Sequence, residues 1–251
     1  MTKPLVSVKN FNLTIGDKEI VKNLSFEVMP GEIFAFLGSN GSGKTSTVRS
    51  LLGIYEPTSG TLHVNGKTLS PETASIVGYL PEERGLYTRS KVLDTMIYFG
   101  ELKGMTRTAA RDFSVAFLER VELADKAMMK IKKLSGGQQQ KIQLGVAIMG
   151  NPKLLVLDEP TKGLDPVNRK LLLDIVDELQ KQGTAVIYIT HLMEEVERLA
   201  HRLLILKDGM ARAYGTVAEV KEQFKSKSIE AIFVEIYKEK SNQTNTGVAH
   251  V

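Results

Sequence analysis

The chain has 251 residues, 42% of them hydrophobic, and 33 Lys and Arg against 29 Asp and Glu give a formal net charge of +4. That length buries a large core in one domain with an insert, and so mild a charge on scattered lysines describes a solvated surface. The absence of cysteine excludes disulfides and fits a reducing compartment; MTKPLVSVKN lacks the apolar core of a secretory signal, and no run of about twenty apolar residues could span a bilayer.

In chain order, Leu5–Val8 and Leu24–Val28 alternate as half-buried strands do, and Pro30-Gly31 breaks the second. Ile33–Leu37 has the length and type of a buried parallel strand. It runs into GSNGSGKT, Gly38 to Thr45, of the form G-x-x-x-x-G-K-[ST]. Successive backbone N–H groups of such a turn form a concave cradle for phosphates. Lys44 then reaches the β- and γ-phosphates and the Thr45 hydroxyl is placed for Mg²⁺. A helix predicted over Thr45–Leu52 adds its positive dipole end. Ser59-Gly60 and Asn65-Gly66 bracket Thr61–Val64 as a hairpin strand.

From about Val92 to Gly150 the pattern turns helical, with Val92, Met96, Phe99 and Leu102, then Phe113, Phe117, Leu118 and Val121 at spacings of three and four. Leu134–Gln138 reads LSGGQ and opens a helix predicted from about Gly137 to Met149, with Ser135 suited to its N-cap. The apolar run Leu154–Leu157 ends at Asp158 and Glu159. A helix over Leu171–Lys181 is closed by Gly183. Ala185–Ile189 ends at Thr190 and His191. Three polar groups thus follow directly on apolar strands, and ligands of open α/β sheets bind outside the carboxyl ends of strands. All three are expected along one edge. Lys207–Met210 reads as a hairpin turn, Val217–Phe224 as a short helix and Ile229–Tyr237 as a further strand, with a polar, disordered tail from Lys238.

With these motifs in this order, the chain resembles the nucleotide-binding subunit of an ATP-binding-cassette (ABC) transporter over nearly all of residues 4 to 225. GSNGSGKT resembles the Walker A loop, LLVLDEP the Walker B strand and LSGGQ the family signature. TKGLD, Thr161 to Asp165, is similar to the D-loop, and His191 falls at the switch-histidine position. The resemblance implies an α/β P-loop NTPase (RecA-like) core with an N-terminal antiparallel β-subdomain and an α-helical insert over about 86–150. The nucleotide-binding domain would span 1–226 and a short C-terminal extension 227–251.

It also implies ATP and Mg²⁺ as cofactors. Gly38, Ser39, Asn40, Gly41, Ser42, Gly43, Lys44, Thr45 and Ser46 would cradle the phosphates, with Lys44 neutralising charge during transfer. Thr45 and Asp158 would hold Mg²⁺, Glu159 would act as general base toward water, and His191 would hydrogen-bond the γ-phosphate or that water. In this family the signature closes over ATP held by a second subunit, so Ser135 and Gly137 would contact the γ-phosphate in trans, and Gly136, Gln138 and Asp165 would also bind nucleotide. His63, His201 and His250 read as surface or core residues.

Two positions depart from the family pattern. Glu82, within IVGYLPEERGLY (Ile76 to Tyr87), stands at the usual glutamine. A carboxylate can ligate Mg²⁺ or accept from water but cannot donate as an amide does; Arg84 is the candidate to offset its charge. The GYLPEERGLY stretch resembles that of ATPase subunits of two-component sodium-extrusion and drug-efflux exporters. Ile15 stands where many relatives carry an aromatic residue stacked on adenine. Leu86, Tyr87, Tyr98 and Phe99 are the candidates either to dock a membrane subunit or to fill the insert's core.

The implied partners are a membrane-spanning permease subunit and a second nucleotide-binding subunit, identical or paralogous, with no nucleic acid. The implied location is cytoplasmic, peripheral on the inner face of the cell membrane. The alternatives are a soluble ABC-type ATPase acting on nucleic acid or ribosomes, and a nucleotide sensor that does not hydrolyse. Relatives of the former kind carry two cassettes or a long coiled-coil insertion, which this sequence lacks; Glu159 and His191 stand against the sensor. The segment after residue 226 is expected to be too short for the regulatory domain of some sugar importers.

Overall fold

The computed structural model describes residues 3–68, 70, 74–83 and 85–238. The chain opens with β1 (Val6–Ile15), β2 (Lys18–Val28) and β3 (Ile33–Leu37), then α1 (Lys44–Leu51), β4 (Ser59–Val64) and β5 (Val77–Leu80). The insert supplies α2 (Val92–Leu102), α3 (Arg107–Arg120) and α4 (Gly136–Ile148). There follow β6 (Leu154–Asp158), α5 (Pro166–Lys181), β7 (Ala185–Ile189), α6 (Met193–Leu199), β8 (Arg202–Lys207), β9 (Met210–Thr216), α7 (Val217–Gln223) and α8 (Ile229–Lys238).

The main sheet has the order β5-β6-β7-β3-β8-β9, parallel except for β9, which runs antiparallel to β8. Strands β3, β6 and β7 are buried along their whole length, because both sheet faces are covered and every apolar side chain meets a core. On one face Leu155, Leu157, Val186 and Tyr188 pack with Met96, Phe117 and Ile142 of the insert helices. On the other, Phe34, Phe36, Val156 and Ile187 meet Val8, Phe11 and Phe26 of the small antiparallel sheet β2-β1-β4, where Phe26 stacks on Phe34 with centroids 5.3 Å apart.

The short strands expected before residue 29 are longer, a ribbon of two strands of 10 and 11 residues. Thr61–Val64 is a strand, but its ladder partner is β1, from Val6 opposite Val64 to Asn12 opposite Ser59. Among the described residues the local turn contributes a single bridge, Val64 to Lys67. Helix α5 starts five residues ahead of the expected Leu171, since Pro166 takes the first helical position and Asp165 caps it. The turn between β8 and β9 is as expected, with Asp208 and Gly209 at φ +54° and +78°, the left-handed pair of a tight hairpin.

One element differs in kind. Ile229–Tyr237, expected as a strand, lies in helix α8. Ile229, Ile232 and Ile236, three and four residues apart, are buried with Val196, Leu203 and Ile205. Burial at helical spacing outweighs the strand preference of β-branched residues. The tail beyond Lys238, with His250, lies outside the described residues.

Candidate functional site

Ladder register sets out the site. Asp158 pairs with Ile189 and Ile189 with Phe36, one row across β6, β7 and β3. The next residues along these neighbouring strands are Glu159, Thr190 and Leu37, so the three predicted groups emerge side by side at one sheet edge, as expected.

Strand β3 delivers the glycine-rich loop. A Cβ on Gly38 would stand 2.6 Å from the Leu206 carbonyl oxygen and would collide with Ser42 Oγ, so only glycine lets the loop turn this close to β8. The loop then passes Gly41 and Gly43, at φ +76° and +108°, into α1, whose first amides a helix leaves unbonded. Gly38, Ser39, Asn40, Gly41, Gly43, Lys44, Thr45 and Ser46 line a cavity of about 650 Å³. Ser42 does not line it. Its hydroxyl is buried against Gly38, its amide donates to the Ser39 carbonyl at 3.1 Å, and its carbonyl accepts from Gly209.

Lys44 Nζ donates to the Gly38 and Ser39 carbonyls at 2.7 and 3.0 Å. Burial lowers its pKa, against the pull of Glu159 and Asp158. Asp158 is buried and accepts from Thr45 Oγ1 at 3.3 Å. Its carboxyl is pushed up to about 6, first by burial and then by the charges of Glu82 and Glu159. A buried carboxylate that resists ionising is one that a cation would relieve.

Glu159 has φ +50°, an uncommon conformation for a residue with a Cβ and one that concentrates at functional sites. Its N–H donates to the Ile189 carbonyl at 2.9 Å, and its Oε2 lies 2.8 Å from His191 Nδ1. Thr190 holds the turn before the histidine, donating to Glu195 at 3.3 Å and accepting from Leu192 N–H at 3.0 Å.

Glu82 lines the same cavity, where its Oε1 accepts from Lys162 Nζ at 2.7 Å. Lys162 therefore offsets the glutamate's charge; Arg84 lies outside the described residues. The Thr45–Asp158 pair fits Mg²⁺, a hard cation that takes oxygen ligands and usually keeps several waters. The cradle of amides, a helix N-terminus and a buried lysine fits a polyphosphate.

The remaining predicted residues lie elsewhere. Ser135, Gly136, Gly137, Gln138 and Asp165 line a second cavity, of about 500 Å³, with Leu164 and Asn168. Ser135 and Gln138 form a reciprocal cap on α4, Ser135 N–H donating to Gln138 Oε1 at 2.9 Å and Gln138 N–H to Ser135 Oγ at 3.3 Å. Asp165 Oδ1 accepts from the Val167 and Asn168 amides at 3.0 and 2.9 Å, which holds its carboxyl below the usual range. His201 Nδ1 accepts from Ile33 N–H at 3.1 Å, a structural bond, and His63 sits half-buried on β4. Lys18, Ile20, Lys162 and Phe233 also line the first cavity; of these only Lys162, inside TKGLD, lies in a motif.

Fold and loop together define a P-loop nucleotide-binding protein. The model of the ABC transporter family matches residues 21–162. The chain is 45% identical over 218 residues to an uncharacterized ABC transporter ATP-binding protein of Methanocaldococcus jannaschii, covering 87% of this chain and 80% of that one. It is 36% identical over 219 residues to the linearmycin resistance ATP-binding protein of Bacillus subtilis, with 86% and 70% covered. The same identity over 219 residues relates it to the Nod factor export ATP-binding protein I of Paraburkholderia xenovorans, with 86% and 72% covered. A solved ATP-binding subunit of an ABC transporter superposes with a TM-score of 0.88 over 93% of this chain and 99% of the other, at 26% identity. The chain belongs to the ABC transporter family, as an ATP-binding subunit with the P-loop NTPase fold.

Proposed function

We propose that this chain is the ATPase motor of a membrane exporter and works as a head-to-tail pair that encloses two Mg-ATP. The observation that carries the reading is the separation of the two cavities. The phosphate cradle lies in one and the signature in the other, so each chain holds two halves of different sites. A second copy, facing the first, would bring Ser135 and the N-terminus of α4 to the γ-phosphate.

In such a site Lys44 and the loop amides bind the β- and γ-phosphates, and Thr45 and Asp158 hold Mg²⁺. The metal supplies charge neutralisation on the phosphate oxygens. Glu159 orients the attacking water and takes its proton; His191, in contact with that carboxylate, fixes its direction. Turnover removes the γ-phosphate that bridges the two chains, and the pair reopens.

The export direction is supported by relatives named for linearmycin resistance and Nod factor export. A docking face is supported by Tyr87 and Tyr98, 55% and 44% exposed and set with Phe99 in a ring cluster with centroids 5.6–5.9 Å apart. Leu86 packs against the insert's core instead. Among the described residues no helix is long and apolar enough to cross a membrane. A separate permease would supply the path, with this chain on its cytoplasmic side.

Single-turnover hydrolysis tests the motor. Glu159→Gln should bind ATP yet lose at least about a hundredfold in the chemical step. Equal rates in variant and wild type would remove Glu159 from the mechanism, and wild type that binds without turnover would be a sensor. Recovery of the native complex from membranes, rather than from ribosomes, tests the transport role.

A further inference from the structure

We infer that Phe233, on the C-terminal helix α8, supplies the face on which the nucleobase stacks. The inference rests on the reading of the first cavity as a nucleoside triphosphate site. A triphosphate needs charge and amides, but its base needs a flat apolar wall. Among the described residues lining that cavity the only apolar side chains are Ile20 and Phe233, and Phe233 is the only aromatic hydrocarbon. Ile15, at the position where relatives carry an aromatic ring, is 44% exposed and does not line the cavity.

Helix α8 is fixed beside the cradle. Ile229, Ile232 and Ile236 anchor its inner face. One turn beyond Phe233, the Tyr237 hydroxyl accepts from Ser39 N–H at 2.7 Å and donates to the Leu206 carbonyl at 2.7 Å. Lys207 Nζ donates to the Ile236 carbonyl. Phe233 stacks on Tyr237 with centroids 4.5 Å apart. The ring is thus set at the edge of the phosphate loop before any base arrives, which lowers the ordering cost of binding. Stacking reads the face of a base and not its edge, so the ligand class is a nucleoside triphosphate with a planar base.

The test compares Mg-ATP with Mg-tripolyphosphate by calorimetry on the full chain. Phe233→Ala should weaken ATP by at least about fivefold and leave tripolyphosphate unchanged, while Phe233→Tyr keeps ATP affinity. Equal weakening of both ligands would make Phe233 a mere prop for the loop, and no weakening of either would leave it without a role; each overturns the inference. The chain has seven tyrosines but no tryptophan, so Phe233→Trp provides a single indole that can be excited at wavelengths tyrosine does not absorb. Its emission should change with Mg-ATP and not with Mg-tripolyphosphate; a change with both, or with neither, counts against stacking. Lys44→Ala should lose both ligands, and wild type that binds neither would overturn the nucleotide reading itself.

Discussion

Glu82 stands where the family's amide donor is expected, and its partner is Lys162. The pair is exposed, with side chains 46% and 61% accessible, so it adds little stability and serves to cancel charge near the phosphates. Glu82→Gln should therefore hydrolyse ATP within a few-fold of wild type in a phosphate-release assay. A loss beyond about a hundredfold would make the carboxylate an indispensable metal or water ligand. Asp158 carries a pH signature. Its carboxyl titrates near 6 in the folded chain instead of 3.8, so between those values the folded state holds the extra proton. Stability from this group is full below the unfolded value and is lost as pH rises through about 6, by on the order of 2–3 kcal/mol without metal. Asp158→Asn should flatten that part of the pH–stability curve, as measured by urea unfolding between pH 4 and 7.5. An unchanged curve would place the titration on another group.

Among the elements, the strands that carry chemistry were legible because each is a short apolar run ended by a polar residue, and burial on both faces leaves no alternation to misread. The start of α5 is marked in the sequence by Asp165-Pro166, a cap followed by the proline that suits a first turn, ahead of the apolar run that begins at Leu171. Helix α8 reads as a strand because IEAIFVEIY is rich in β-branched and aromatic residues, while its isoleucines at 229, 232 and 236 already keep helical time. Lys103 shows what local sequence does not disclose. It follows α2, yet its ammonium donates to the Val146, Ala147 and Met149 carbonyls at the end of α4, at 2.9, 2.7 and 3.2 Å, and burial lowers its pKa to about 8. Lys103→Met should cost about 1–3 kcal/mol by leaving these acceptors unpaired. Chemical denaturation would show it, and a variant as stable as wild type would mean that water replaces the amine.

For the whole molecule, motif order was enough to give the class, but not the distance between motifs. LSGGQ and GSNGSGKT belong to different cavities, an arrangement that only the folded sheet and insert define. The proposed pairing makes a sharp forecast. Lys44→Ala and Ser135→Glu should each be inactive alone. Mixed in equal amounts they should recover up to about one quarter of wild-type ATPase, since half of the pairs are hybrid and each hybrid keeps one intact site. No recovery on mixing would refute the head-to-tail pair.

A chain trimmed at residue 225 would keep every motif from GSNGSGKT to His191. It would lack the hydroxyl that ties Ser39 to Leu206 and the three isoleucines that cover β8. Trimming would thus bare a greasy flank and unfasten the phosphate loop on its outer side. Helix α8 is thus no appendage, since it forms part of the wall of the cavity that the phosphate loop lines.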